Sequence, residues 1–219
     1  MKKFLFFAAV LVSINTYAQK VRIGITSGVS ISNYHIKGGG QIQSPNSVAG
    51  FTGGIIIDIP GDMPQYKHYG FQPAINFVQK GTKAEQTNGN VTAKSKILVN
   101  YIEMPLNFLY NSMGKTGNIF IGGGPAVAIA ISGKGKYDDG TTKASINLKF
   151  GSNDESTMTR GDLGANFIAG FSLNNGVMFS VNYNAGIVNL LPKEMEDSKL
   201  RSNYFGIKLG YMLPSFKNK

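Results

Sequence analysis

From Val21 to Tyr211 apolar residues recur with period two in eight separate runs, and no window after residue 20 carries a useful stretch of helical spacing. Side chains of a strand point alternately to its two faces, so a chain patterned this way is committed to β-structure with one apolar and one polar face. The first run sets Val21, Ile23, Ile25, Val29 and Ile31 against Arg22, Gly24, Thr26, Gly28, Ser30 and Ser32. The second sets Phe51, Ile55, Ile57 and Ile59 against Thr52, Gly54 and Asp58, and the third Tyr69, Phe71, Ile75 and Phe77 against Gln72 and Asn76. Ile102, Met104, Leu106, Phe108 and Tyr110 oppose Tyr101, Glu103 and Asn107 in the fourth; Ile119, Ile121, Val127, Ile129 and Ile131 oppose small residues in the fifth. The sixth centres on Leu163, Phe167, Phe171 and Leu173, the seventh on Val177, Phe179, Val181, Tyr183 and Ile187, and the last on Phe205, Ile207, Leu209 and Tyr211. The fold class is all-β, and 219 residues accommodate one domain.

Period two alone does not say which face is inside, because a soluble barrel buries the apolar face and a membrane barrel the polar one. Three features choose the membrane. The polar face is crowded with Gly, Ala, Ser and Asn and carries Arg22, Asp58, Glu103, Asp162 and Lys208, which suits a narrow lumen. The connections alternate: brief near 60–67, 112–117 and 174–176, long and polar near 37–47, 81–96, 132–158 and 189–203. Short periplasmic turns and long extracellular loops give that order when the amino terminus is periplasmic. Tyr69, Phe71, Phe108 and Tyr110 fall at one level of adjacent runs, as an aromatic girdle at the headgroup boundary would. The expected architecture is an eight-stranded antiparallel up-and-down transmembrane β-barrel spanning 19–219. Pro73, Pro105 and Pro125 interrupt runs and are expected at bulges or rim positions.

The amino terminus reads as a secretory signal peptide over 1–18: Lys2 and Lys3, an apolar run from Phe4 to Val12 too short to span a membrane, and a small-residue site before Gln19. Its removal lowers the net charge from +10 to +8 by loss of the two lysines. The remaining basic residues are scattered through expected loops, among them Lys134, Lys136, Lys143 and Lys149, so a rim facing lipid headgroups fits better than a nucleic-acid site. The chain has no cysteine, hence neither a disulfide framework nor a lipid-attachment cysteine. The expected location is the outer membrane, with its lipid and external proteins as partners, no nucleic acid and no cofactor.

Several segments resemble the small outer-membrane barrel proteins of the PorT-like type. They are Gly24 to Asn33, Phe71-Gln72-Pro73 leading to Lys80-Gly81, Tyr101-Ile102-Glu103-Met104-Pro105-Leu106, Gly122-Gly123-Gly124-Pro125, and Tyr183 to Asn189. The resemblance implies an eight-stranded outer-membrane barrel, usually without assigned activity, and in some members a part in protein secretion. The chain departs from barrels that end on a terminal aromatic, continuing through Phe216 to Lys217-Asn218-Lys219.

Chemistry is sparse. Gly114-Lys115-Thr116 lacks the upstream glycine and following helix of a phosphate loop, and Gly122-Gly123-Gly124 lies in a strand. The two histidines, His35 and His68, belong to opposite ends of the barrel, which argues against a shared metal. His35 with Ser32, Asp138 or Asp139 is the remaining constellation for a rim hydrolase. The sharper expectation is a charge network of Arg22, Glu103, Asp162 and Lys208 across the lumen, plugging it or gating a narrow path, since buried ions need partners. A non-enzymatic scaffold displaying outer loops is the leading functional expectation, with a secretion accessory or narrow conduit second.

Overall fold

The computed structural model describes residues 21–38, 41–43, 45–61, 68–88, 91–151, 156–191 and 199–214. The segment 1–18, expected as a signal peptide, lies outside the described residues. The strands are β1 (Arg22–Gly38), β2 (Gln41–Gln43), β3 (Asn46–Pro60), β4 (Tyr69–Asn88), β5 (Val91–Met113), β6 (Gly117–Asp138), β7 (Lys143–Asn147), β8 (Gly161–Leu173), β9 (Val177–Gly186) and β10 (Lys199–Met212). Each alternating run of the sequence coincides with one of these strands, with Val21 and Ile187 one residue beyond the ends of β1 and β9.

All strand pairings are antiparallel, in the order β1-β3-β4-β5-β6-β8-β9-β10. The sheet then closes: β10 returns to β1 in a continuous register from Gly24↔Met212 to Lys37↔Lys199. β2 adds to the outer end of β1 and β7 to that of β6. Tight turns gather at one end, at 114–116 and 174–176, the latter made possible by Gly176 at φ 94°.

The closed sheet is inverted relative to a soluble protein. Its inner face buries Thr52, Gln72, Asn76, Lys80, Glu103, Asn107, Asp162, Asn166, Asn182 and Asn184. Its outer face presents the apolar sets, with Ile75 59% and Phe108 66% exposed. A monomer in water does not leave such a continuous apolar belt uncovered. Facing lipid, the belt is solvated, and closure pairs every strand edge that the bilayer would leave without a partner. The expected girdle residues meet at the turn end: Tyr69 packs edge-on to Tyr110 at 5.7 Å between ring centroids, and Phe71 lies 5.1 Å from Phe108.

Two expectations need correction. The stretches 81–96 and 132–138 are not loops. β4 and β5 stay paired from Gly81↔Leu98 to Asn88↔Val91, and β5 and β6 from Asn100↔Ser132 to Lys94↔Asp138. β5 therefore has 23 residues and β6 22, where roughly 9–11 suffice to cross a bilayer, so their outer halves stand beyond it as a sheet. Nor do the prolines mark bulges. Lacking an N–H, each interrupts the ladder for two pairs toward the preceding strand, yet register resumes unchanged, as from Pro73↔Leu106 and Asn76↔Glu103 on the β4–β5 side of Pro105. The register shifts lie elsewhere, between Ser47 and Thr52 and between Asn100 and Tyr101.

Replacing Ile75 by Arg, at mid-height of the apolar belt, is expected to destabilise the protein by about 2–4 kcal/mol in urea unfolding from liposomes. The same substitution at exposed Lys94 should be near neutral.

Candidate functional site

The lumen is packed in layers. Near the turn end Ile56, Ala74, Leu109, Phe120, Ile168, Met178 and Met212 form an apolar cluster. Near the extended end Tyr34, Val99, Tyr101, Ala128 and Ala130 form another, capped by Leu148, Met158 and Leu190 from the connections after β7 and β9. Polar side chains fill the space between them.

Lys80 is the hub of that middle layer. Its Nζ lies 2.9 Å from Glu103 Oε2 and 3.1 Å from Asp162 Oδ2, with all three side chains at most 2% exposed. The ammonium sits 5.0 Å from the ring centroids of both Tyr101 and Tyr204. The Tyr204 hydroxyl donates to Glu103 Oε1, and Ser202 Oγ donates to Asp162 Oδ2 at 2.6 Å. Below, Asn182 Nδ2 donates to Asn166 Oδ1 at 3.1 Å and Asn166 Nδ2 to Asn107 Oδ1 at 2.8 Å, an amide chain across the lumen.

The four charges expected to form one network are thus divided. Glu103 and Asp162 do meet, but through Lys80. Lys208 is buried too, yet makes no ion pair within 4.0 Å among the described residues. It balances the count, leaving two lysines against two carboxylates. Arg22 is not part of the cluster: it pairs with Asp58 at 2.6 Å, half-exposed at the turn end. Alternation reveals Lys80 only if the third run is carried past Phe77, since Gln72, Asn76, Val78 and Lys80 share the inner parity.

Little room remains for a solute. A cavity beside Asn166, Asn182 and Lys208 measures about 20 Å³ and one beside Arg22 and Asp58 about 10 Å³. A single water needs roughly 10–15 Å³ measured this way.

The rim constellation does not assemble. Ser32 faces the lumen, where its hydroxyl accepts the Gly81 amide at 2.7 Å and donates to the Gly81 carbonyl at 3.2 Å, while His35 has the opposite parity. Asp138 and Asp139 shape the β6–β7 turn, accepting the amides of Gly140, Thr141 and Thr142. The Gly140 amide, then Lys143, hold the Asp138 carboxyl below its ordinary range. His68 lies at the other end, its Nδ1 2.9 Å from the Asn111 carbonyl and its ring stacked on Tyr110. Among the described residues no group of three His, Cys, Asp or Glu side chains could hold a metal.

A family model described as the outer membrane protein beta-barrel domain matches residues 17–191. The chain belongs to that family. It is an outer-membrane β-barrel, and the apolar belt is its lipid-facing wall. Among solved structures this barrel is similar to Ail, the attachment invasion locus protein of Yersinia pestis, at 14% identity and a TM-score of 0.39 over 87% of this chain and 98% of that one. Ail in complex with the heparin analogue sucrose octasulfate gives 12% identity and a TM-score of 0.37, over 87% and 99%. Neisserial surface protein A gives 9% and 0.37, over 88% and 96%. None of the curated proteins matches the chain.

Removing one member of the buried cluster strands its partners, so Lys80→Met is expected to destabilise the barrel by about 3–5 kcal/mol. Combining it with Glu103→Gln and Asp162→Asn should recover most of that loss, as measured by the temperature at which heat-modifiability on gels disappears.

Proposed function

We propose that this outer-membrane barrel is a sealed, non-enzymatic scaffold that displays an external interaction surface. In this reading eight strands, β1, β3, β4, β5, β6, β8, β9 and β10, span the bilayer after export directed by residues 1–18, and both ends of the chain are periplasmic. The tight turns are then periplasmic and the sheet of β4–β7 stands outside the cell. The PorT-like resemblance belongs to the same reading, and its segment from Tyr101 to Leu106 supplies Tyr101 and Glu103 to the packed lumen.

The observation that carries this reading is the filled lumen. A conduit needs a continuous wet path, and here a paired lysine–carboxylate cluster lies between two apolar layers. A buried ion cluster serving as a gate would have to break and leave its charges unpaired, which is costly in a dry interior. The outer sheet, by contrast, is accessible: every residue of β7 is exposed.

Planar bilayers containing the purified protein are expected to show no unitary conductance above background; well-resolved channels would remove the scaffold reading. An epitope inserted at Gly140 should bind antibody on intact cells. One inserted at Lys115 should bind only after the outer membrane is permeabilised, and the reverse pattern would invert the orientation.

A further inference from the structure

On the lipid-facing side, the apolar wall ends at one level on neighbouring strands. Phe77, Ile102 and Ile129 form a cross-strand row, and the next outward row is Gln79, Asn100 and Ser132. These side chains are joined: Gln79 Nε2 donates to Asn100 Oδ1 at 3.0 Å, and Asn100 Nδ2 to Ser132 Oγ at 2.8 Å. Gln79 Oε1 also accepts the Phe51 amide at 3.0 Å. Across the barrel the same change occurs, Ile31↔Phe205 giving way to Asn33↔Asn203 and then to Arg201 on β10. A hydrogen-bonded amide row directly above apolar rows marks the outer edge of the hydrocarbon.

Beyond the amide row the same face turns basic. Lys134 comes first, followed by Lys83, Lys96 and Lys136 directly opposite one another on three adjacent strands. The row after that alternates in sign, Glu85, Lys94, Asp138 and Lys143, and is self-compensating, with Lys143 Nζ 3.2 Å from Asp138. The row of three lysines has no carboxylate within 4.0 Å among the described residues. Like charges set opposite one another on paired strands repel.

The charge is confined to one face. Ala84, Ser95, Tyr137 and Ala144 form the corresponding row on the other side of the same sheet, with Ile97, Gly135 and Ile146 beside it, and none is charged. A sheet made basic merely to stay soluble would carry charge on both faces. At the turn end the outward positions are instead Tyr69, Tyr110 and Tyr211. Four residues separate the amide row from the lysine row, about 13 Å along a strand and roughly 10 Å of height at the usual tilt, within reach of the headgroup layer.

We infer that Lys83, Lys96 and Lys136 form a binding site for the phosphate groups of anionic lipids in the outer leaflet. The occupant is a lipid because the basic face continues the wall that lipid already covers, so a headgroup reaches it with its chains against Ile102 and Ile129. Phosphate among the three ammonium groups relieves their repulsion and supplies the missing counter-charge. The site rests on the orientation proposed above and adds to that scaffold a named ligand class.

The test uses the full-length protein in zwitterionic detergent, titrated with phosphatidic acid, phosphatidylcholine or inorganic phosphate and read by native mass spectrometry. The wild type is expected to retain phosphatidic acid about tenfold or more tightly than phosphatidylcholine. The triple variant Lys83→Gln, Lys96→Gln, Lys136→Gln should lose that preference, and Lys→Arg at the same three positions should keep it. Unaltered heat-modifiability identifies variants that fold. Undiminished retention of phosphatidic acid by the glutamine variant overturns the site. Inorganic phosphate bound as tightly as the lipid, or a soluble sulfated polysaccharide bound through these lysines in place of the lipid, overturns the lipid assignment. Conductance does not involve these lysines, so a conducting barrel that still selects phosphatidic acid would sink the sealed scaffold alone.

Discussion

Every feature of this barrel follows from the penalty on an unpaired peptide group in hydrocarbon. A strand edge in lipid exposes N–H and C=O groups that nothing around them can satisfy, so the sheet must close. The β1–β10 register makes that closure. Closure in turn fixes the interior: a ring of this size leaves space only for side chains, and those side chains alternate with the lipid-facing set. The inner positions are therefore obliged to be either small or mutually satisfied. Both solutions appear, as alanines on β6 and as the hydrogen-bonded chain of asparagines.

Much of this was legible in the sequence because period two is a direct image of strand geometry. The runs located the strands of the ring but neither β2 nor β7, and turn lengths separated the two ends. The inner face was recognisable from Glu103 and Asp162 without any knowledge of pairing. The pairings themselves were not legible. Whether Arg22 reaches Glu103 or Asp58 depends on height along the barrel, which register sets, and Arg22↔Asp58 proves to be a directly opposed pair on β1 and β3. Lys80 escaped for a related reason: the alternating run ends at Phe77 and the polar stretch near 81–96 reads as loop, yet the backbone stays paired to Asn88. Polar residues end the apolar signal without ending the strand.

The prolines show how closure tolerates local defects. Pro73, Pro105 and Pro125 each remove one donor, and each leaves its ladder in register. A bulge would have displaced every outward residue beyond it by one position, turning lysines inward and apolar side chains into the lumen. Keeping register through the gap preserves the face assignment of the outer sheet. The shift between Asn100 and Tyr101 does the opposite: it leaves Ile131 without a partner and changes the inward parity of β6, so that Gly133 and Gly135 continue the inner face begun by Ala126, Ala128 and Ala130.

The contact between Lys80 and Asp162 joins residues 82 positions apart. While β8 is still absent from the sheet, Lys80 has only part of its charge complement, and the interior remains open to water. Drying of the interior therefore waits for the later strands. During assembly the nascent sheet is amphiphilic, wet on one side and greasy on the other, and it becomes a solid cylinder only in the step that brings its first and last strands together. For this chain the interior can be dry only once the seam is joined.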